Sequence, residues 1–215
     1  MSLPISERDF LTVVAAYNET LWPAVLISWG LAVVLLVGLA RGSARPGWVL
    51  TLAAFLWGWS GIAYHAAFFT AINPAAWIFA MLFVVEAAGL ASLVVSRWPV
   101  TFALGHTLRG KIAAGLLVYA VLYPILVWLS GTEFPRAPVF AVPCPTVLFT
   151  AGILLAATPA VPRWLYVAPV LWAIIGGSAA FLLGVTPDLM LLAAAVALVL
   201  DGLAAARPAR AASVV

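Results

Sequence analysis

Residues 21–40 read LWPAVLISWGLAVVLLVGLA, an apolar stretch without a single charged side chain. At about 1.5 Å per residue, a helix of this length spans the hydrocarbon core of a bilayer, which is about 30 Å thick. The rest of the chain has the same character, since 66% of its 215 residues are hydrophobic and only 8% are charged. Soluble proteins carry about a quarter charged residues, so this composition excludes a soluble globular domain and predicts an integral membrane protein.

Six further apolar segments follow, separated by short breaks that contain glycine, proline or arginine. Because the backbone must satisfy its own hydrogen bonds in lipid, we predict an all-α bundle of seven transmembrane helices. The fifth segment is short for a span. The predicted spans are residues 21–40, 48–72, 75–96, 112–129, 145–160, 164–183 and 189–206. They form one domain over 21–206, which leaves residues 207–215 as a tail.

The distribution of positive charge predicts the orientation of these spans, because cytoplasmic loops retain lysine and arginine. Arg8 and Arg136 fall on one side of a seven-span chain. The other side holds Arg41, Arg45, Arg97, Arg109, Lys111, Arg163, Arg207 and Arg210. We therefore predict an N-terminus outside the cell and a C-terminus in the cytoplasm.

Residues 1–20 have the pattern of an amphipathic helix that lies at the membrane surface. Ser6, followed three residues later by Asp9, resembles a capping box at a helix start. Phe10 and Tyr17 then fall on one apolar stripe. We predict an N-terminal interfacial helix, which can also pack as a cap over the outward face.

Two polar side chains are predicted near the bilayer midplane. Glu86 lies about eleven residues from either end of the third span, and Tyr123 reaches a similar depth in the fourth span. Tyr119 is one turn from Tyr123 on the same helix face. Ionisable groups inside lipid are functional candidates by default, so this pair is either a hydrogen bond between Glu86 and Tyr123 or a proton or cation site.

A second polar group is predicted in the outward half of the membrane. His65 lies about seven residues from the outward end of the second span, and Gly61, one turn earlier, leaves room for a neighbouring helix or a ligand. Thr150 and Ser178 lie at about the same depth in the fifth and sixth spans. The three side chains can form a polar layer, or His65 can be a buried histidine with satisfied hydrogen bonds.

The single cysteine, Cys144, stands in the sequence PCPT at the predicted start of the fifth span. A thiol at a helix N-terminus lies at the positive end of the helix dipole, which favours the nucleophilic or metal-binding thiolate. The alternative is a small apolar residue packed beneath a loop. One cysteine excludes an intrachain disulfide and multi-cysteine zinc or iron–sulfur sites, and we predict no metal site.

The remaining charges indicate what the protein attracts. The arginines and the lysine are scattered singly between apolar runs, which excludes nucleic acid as a partner. We interpret Asp188 as a carboxylate that interacts favourably with the dipole at the N-terminus of the seventh helix. Asp201 is interpreted as the partner of a loop arginine. On the predicted outward side, five acids face two arginines, which favours cations over anions. Those acids are Glu7, Asp9, Glu19, Glu133 and Asp188.

Three motifs resemble an uncharacterised family of small bacterial polytopic membrane proteins, described as a domain of unknown function. The motifs are WGWSGIAYHAAFF at 57–69, INPAA at 72–76 and PCPTVLFT at 143–150. Certain residues recur in that family, and the resemblance therefore makes their counterparts in this chain candidate functional residues. They are Tyr64, His65, Asn73, Pro74 and Cys144. It implies a helical fold in a bacterial inner membrane and no particular reaction. A glutamine often stands in that family where Glu86 stands here, which weakens a proton-relay role.

Three classes of function remain open from the sequence. The first is a carrier or channel for a cation or small solute, which uses the outward polar layer with Cys144 and the deeper Glu86 and Tyr123. The second is a non-catalytic subunit of a membrane complex. The third is a membrane-embedded enzyme with Cys144 as nucleophile and His65 as base. No motif identifies a cofactor, and the oligomeric state stays open.

Overall fold

The computed structural model describes residues 6–204. This part of the chain is nearly all-α, as predicted, and two short strands, β1 (Thr101–Phe102) and β2 (Ala157–Thr158), pair antiparallel. The helices are α1 (Glu7–Ala40), α2 (Pro46–Trp59), α3 (Ala76–Val95), α4 (Leu108–Leu129), α5 (Pro143–Ala156), α6 (Val167–Leu183) and α7 (Met190–Ala204).

Several helices are extended by turns of a different pitch. The π-helical segment Ser60–Ala66 and the 3₁₀ turn Phe69–Ala71 follow α2, while the 3₁₀ turns Arg163–Tyr166 and Thr186–Leu189 precede α6 and α7. With these extensions, six helices among residues 6–204 are long and apolar enough to cross a membrane. The exception is α5.

Helix α1 corrects the prediction of a separate interfacial helix over residues 1–20. It is capped at Ser6, whose hydroxyl accepts a hydrogen bond from the Asp9 backbone N–H (3.2 Å), as the capping box predicts. It then continues without a break through Pro23 to Ala40, a length of about 51 Å. The Tyr17 hydroxyl donates to the Ala141 carbonyl (3.1 Å), so the N-terminal part packs on the rest of the chain. An apolar stripe predicts a buried face, but it does not predict whether lipid or protein covers that face.

Helix α5 forms the centre of the bundle. It has 14 residues, and every side chain from Pro145 to Ala156 is buried among α2, α4, α6 and α7. The predicted span over 145–160 is too long, because the chain leaves the helix after Ala156 to pair as β2 with β1. A Cβ added at Gly152 would lie 2.9 Å from the Ala113 carbonyl oxygen, so α4 and α5 approach each other closely.

One end of the bundle, which we call the Asp201 end, is held by a polar network. Arg109 donates through Nε to Asp201 Oδ1 (2.6 Å), and the Tyr166 hydroxyl donates to Asp201 Oδ2 (2.8 Å). Arg109 also donates to the carbonyls of Ala157 (2.9 Å) and Leu154 (3.1 Å) at the C-terminus of α5. The predicted pairing of Asp201 with an arginine is confirmed. Residues 207 and 210, whose arginines entered the charge count, lie outside the described residues.

Candidate functional site

A cavity of about 450 Å³ lies at the opposite end of the bundle, which we call the Asp188 end. Its walls come from the start of α1, the π-helical segment, the start of α5, one face of α6 and the turn before α7. Its lining includes the apolar side chains of Phe10, Val14, Phe69, Phe79, Val142, Ile175 and Leu182. Side chains with a polar group are Tyr64, Asn73, Cys144, Trp172, Ser178 and Asp188. A cavity of this size suits a small organic molecule.

The π-helical segment carries both Tyr64 and His65, and only Tyr64 reaches the cavity. A Cβ added at Gly61 would lie 3.0 Å from both the Ala80 carbonyl oxygen and the Phe83 Cβ, so the predicted room beside Gly61 is filled by α3. Short π-helical insertions in α-helices are frequent at functional sites. Here Tyr64 lines the cavity, while His65 does not.

Asp188 is the acid of the cavity, and two tyrosines of α4 hold the turn that carries it. The Tyr123 hydroxyl donates to Asp188 Oδ1, and the Tyr119 hydroxyl donates to the Pro187 carbonyl (2.8 Å). Asp188 is only 4% exposed. Because Arg109–Asp201 is the only ion pair found among residues 6–204, the Asp188 carboxyl has no arginine or lysine partner there.

Cys144 lies in the first turn of α5, half-buried at the cavity wall. Asp188 and Trp172 are its polar neighbours. The predicted catalytic pair of Cys144 and His65 does not form, because neither imidazole nitrogen has a hydrogen-bond partner in the described part of the chain. The enzyme hypothesis therefore lacks the contact between nucleophile and base that it requires.

His65 is buried in an aromatic cluster behind the cavity wall. Its ring lies 4.8 Å from the ring of Trp172 and 4.9 Å from that of Phe83, measured between centroids. The other rings around it are Tyr64, Phe69 and Phe79. His65 is thus buried, as one interpretation expected, but its hydrogen bonds are unsatisfied. Trp172 connects this cluster to the cavity, which it also lines.

The predicted polar layer of His65, Thr150 and Ser178 does not assemble. Thr150 is fully buried in α5, where its hydroxyl accepts a hydrogen bond from Trp57 Nε1 (2.8 Å). Ser178 lines the cavity on α6, whereas His65 lies among the aromatic rings. Equal depth along three helices does not bring side chains together unless the helices also present the same sides to one another.

The predicted hydrogen bond between Glu86 and Tyr123 is wrong for the same reason. Tyr123 donates to Asp188 instead. Glu86 is 2% exposed on α3, and its Oε1 has no hydrogen-bond partner among residues 6–204. It lies about one helical turn from Phe83 on the buried face of α3 and does not line the cavity.

Asn73 belongs to the cavity as well as to a turn. Its Oδ1 accepts a hydrogen bond from the Ala75 backbone N–H (3.0 Å), which shapes the connection into α3. The cavity therefore brings together four of the eight predicted binding residues. They are Tyr64, Asn73, Cys144 and Ser178.

A family model described as a family of unknown function, DUF6064, matches residues 7–212 of the chain. The chain belongs to the DUF6064 family. Comparisons with curated proteins and with solved structures gave no match. Membership confirms the predicted relationship to an uncharacterised family, while the recurrent motifs and the bacterial membrane stay predictions.

Sequence reasoning missed the role of two residues of this DUF6064 member. Asp188 follows Thr186 and Pro187, a combination that reads as an ordinary helix start. Its partner Tyr123 is 65 positions away, so the sequence gives no local sign of the contact. Trp172 offered a signal, since it stands in the middle of a predicted span and not at a membrane interface, where tryptophan is enriched.

Proposed function

We propose that this protein is a membrane carrier that binds a small solute in the cavity at the Asp188 end. The bilayer is its surrounding medium, and the resemblance to bacterial membrane proteins favours the inner membrane. The observation that supports a solute site is the cavity itself, in which a buried carboxyl and other polar groups line an otherwise apolar space. Such a mixture is typical of ligand sites, where apolar walls supply contact and a few polar groups fix orientation.

In this proposal all seven helices cross the membrane. The support for α5 is that Cys144 at its start lies beside Asp188, while the Leu154 carbonyl near its end accepts a hydrogen bond from Arg109. It therefore runs between the same two ends of the bundle as its neighbours. The helices that enclose α5 explain how about 21 Å of helix suffices, because α5 does not need to match the thickness of lipid.

The proposed orientation places the Asp188 end outside and the Asp201 end in the cytoplasm. It follows from the excess of lysine and arginine at the connections on the Asp201 side. The solute then enters from the outward half of the membrane. Tyr64, Asn73, Cys144 and Ser178 contact it, Tyr123 positions Asp188, and His65 supports Trp172 from behind.

A carrier fits this arrangement better than an open channel. The core between the two ends is filled by fully buried side chains, among them Trp57, Phe83, Phe149 and Leu154. A solute bound beside Asp188 therefore crosses only if the helices rearrange around it, as in alternating access. Glu86 and Thr150 lie off the cavity and are not assigned to the binding step.

The test uses purified protein in lipid nanodiscs and three probes built on a benzyl group. They are benzyltrimethylammonium, its uncharged carbon isostere neopentylbenzene, and the anion phenylmethanesulfonate. We expect at least one of them to slow alkylation of Cys144, the only cysteine in the chain, because it occupies the cavity. Proteoliposomes should also accumulate a charged probe that binds.

A pair of variants on α6 supplies the control. Ser178→Trp fills the cavity and should abolish both protection and uptake. Phe181→Trp also places an indole on α6, but Phe181 is 76% exposed and does not line the cavity, so it should behave as wild type. If no probe protects Cys144, or if Ser178→Trp leaves protection unchanged, the proposed solute site is wrong.

A further inference from the structure

We infer that the solute of this cavity is a lipophilic organic cation, such as an alkylated or aromatic ammonium ion, and that Asp188 is its counter-ion. This inference rests on the proposed function and adds the chemical class of the solute. Its starting point is the Asp188 carboxylate, which is 4% exposed and lacks a cationic partner within residues 6–204. A buried carboxylate is costly unless a positive charge compensates it.

The Tyr123 hydroxyl does not supply that compensation. It donates one neutral hydrogen bond to Asp188 Oδ1 and brings no charge. The other polar groups at the cavity wall, including the Cys144 thiol and the Ser178 hydroxyl, also bring no positive charge. Within residues 6–204, the groups that can balance a negative charge on Asp188 are therefore a proton or a cation held in the cavity, and the apolar, aromatic walls favour the cation.

A metal ion does not suit this position. Calcium and magnesium take six or more oxygen ligands, and transition metals take several nitrogen, sulfur or oxygen ligands. In the stretch from Ser6 to Ala204, no group of three histidine, cysteine, aspartate or glutamate side chains is arranged to hold a metal. Asp188 instead faces a largely apolar space, which favours a cation with an apolar body.

The aromatic lining supplies the second, independent observation. Tyr64, Phe79 and Trp172 line the same cavity as Asp188, together with Phe10 and Phe69. Aromatic faces attract ammonium groups through the ring quadrupole, and the effect is strongest where water is excluded. A carboxylate within an aromatic wall therefore selects for a positive charge attached to an apolar group.

The volume of about 450 Å³ limits the size of the cation. It accommodates a drug-sized molecule, so a cation with one ring or a short branched chain next to its charged nitrogen fits within it. Benzyltrimethylammonium is such a molecule, and neopentylbenzene has the same shape with carbon in place of nitrogen. The two probes have the same shape but differ in charge and in their partition into lipid, so their binding is compared at equal free concentrations in water to isolate the contribution of charge.

The experiment measures equilibrium binding of radiolabelled benzyltrimethylammonium to wild-type protein in nanodiscs. Neopentylbenzene should compete at least about tenfold more weakly than the unlabelled cation, because it lacks the charge that Asp188 recognises. Asp188→Asn should weaken cation binding by a similar factor, and Asp188→Glu should restore most of it. The control Glu133→Gln removes an acid from an exposed position away from the cavity, and it should bind like wild type.

Each outcome separates the two levels of the proposal. If neopentylbenzene binds as well as the cation, or if Asp188→Asn binds the cation unchanged, the cation assignment is overturned while the solute site stands. If no probe binds, both fail. If Asp188→Asn does not fold, Trp172→Phe provides the test. Cation binding that weakens about threefold or more, without loss of neopentylbenzene binding, supports the assignment. Equal effects on the binding of both probes overturn it.

Discussion

Two aspartates stand at opposite ends of the same helical segment, Thr186–Ala204, and their surroundings differ. Asp201 receives hydrogen bonds from Arg109 and Tyr166, so its charge is neutralised by the protein. Asp188 receives a hydrogen bond from Tyr123, lies beside the Cys144 thiol and borders a cavity. The first carboxylate joins helices together, whereas the second has no cationic partner within residues 6–204 and is the proposed counter-ion of a bound cation.

The two aspartates differ in whether the protein supplies a positively charged partner, and this difference distinguishes a structural acid from a binding acid. A paired carboxylate stabilises the fold, and its loss weakens the fold. An uncompensated buried carboxylate has the opposite property, since removing its charge relieves a desolvation cost. The two residues should therefore respond with opposite signs to the same substitution.

The largest effect is expected from Arg109→Met. It removes the cationic partner of Asp201 and leaves the carbonyls of Leu154 and Ala157 without their donor. We expect the free energy of unfolding to fall by about 3 kcal/mol, measured by detergent-induced unfolding. Lys111→Met is the control, because it removes a positive charge from an exposed position of the same helix. Equal losses of unfolding free energy in the two variants would show that the Asp201 network does not specifically stabilise the fold.

Gly152→Ala tests the packing of α5, the helix that runs from the Asp188 end of the bundle to the Asp201 end. The added Cβ would lie 2.9 Å from the Ala113 carbonyl oxygen and 2.6 Å from Leu117 Cγ, so α4 and α5 must move apart. We expect a loss of about 2 kcal/mol in unfolding free energy. Gly115→Ala on α4 meets no atom within 4 Å and should cost nothing. A similar stability of both variants would contradict the close contact between α4 and α5.

Tyr123→Phe removes the hydrogen bond to Asp188 and leaves the ring in place. We expect a loss of about 1.5 kcal/mol, because the acceptor is a buried acid. Tyr119→Phe removes only the half-buried bond to the Pro187 carbonyl and should cost less. Thermal unfolding of both variants in the same micelles measures the difference. The reverse order of losses would argue against Tyr123 as the group that positions Asp188.

The smallest change in stability, and the most direct test of the comparison, comes from matched substitutions of the two acids. Asp188→Asn should leave the unfolding free energy unchanged or raise it by up to about 1 kcal/mol, since an uncompensated charge disappears. Asp201→Asn should lower it, because Arg109 loses its counter-charge. Unfolding in the absence of any added cation provides the measurement. Destabilisation by both substitutions would mean that Asp188 is also a structural acid.

Much of the fold was predictable from hydropathy and from turn residues. The third span was predicted over residues 75–96, and α3 covers Ala76–Val95. Long apolar runs and the prolines between them determine such boundaries, because both act locally. The prediction failed where a long-range contact decides the structure. The predicted fifth span continues to residue 160, but α5 ends at Ala156, where the chain pairs as β2 with β1, more than fifty residues earlier in the sequence.

The site was less predictable than the fold, since it depends on which sides of the helices face each other. Tyr64, Asn73 and Cys144 were found because each stands in a distinctive local motif. Tyr119 and Tyr123 were correctly placed on one face, but the acid opposite them is Asp188 and not Glu86. The depth of a side chain in the membrane follows from counting residues along its helix. The rotation of the helix about its axis, and therefore the residues that the side chain contacts, does not follow from that count.

The enclosed position of α5 has a consequence for the order in which the protein is made. Synthesis delivers α1 to α4 before α5, but α6 and α7, which also cover it, emerge later. The nascent α5 carries threonines and a glycine in only 14 residues, which makes it a weak signal for insertion on its own. In the proposed seven-span topology, α5 therefore enters the membrane as a hairpin with α4, and one of its flanks stays uncovered until α6 and α7 have been synthesised.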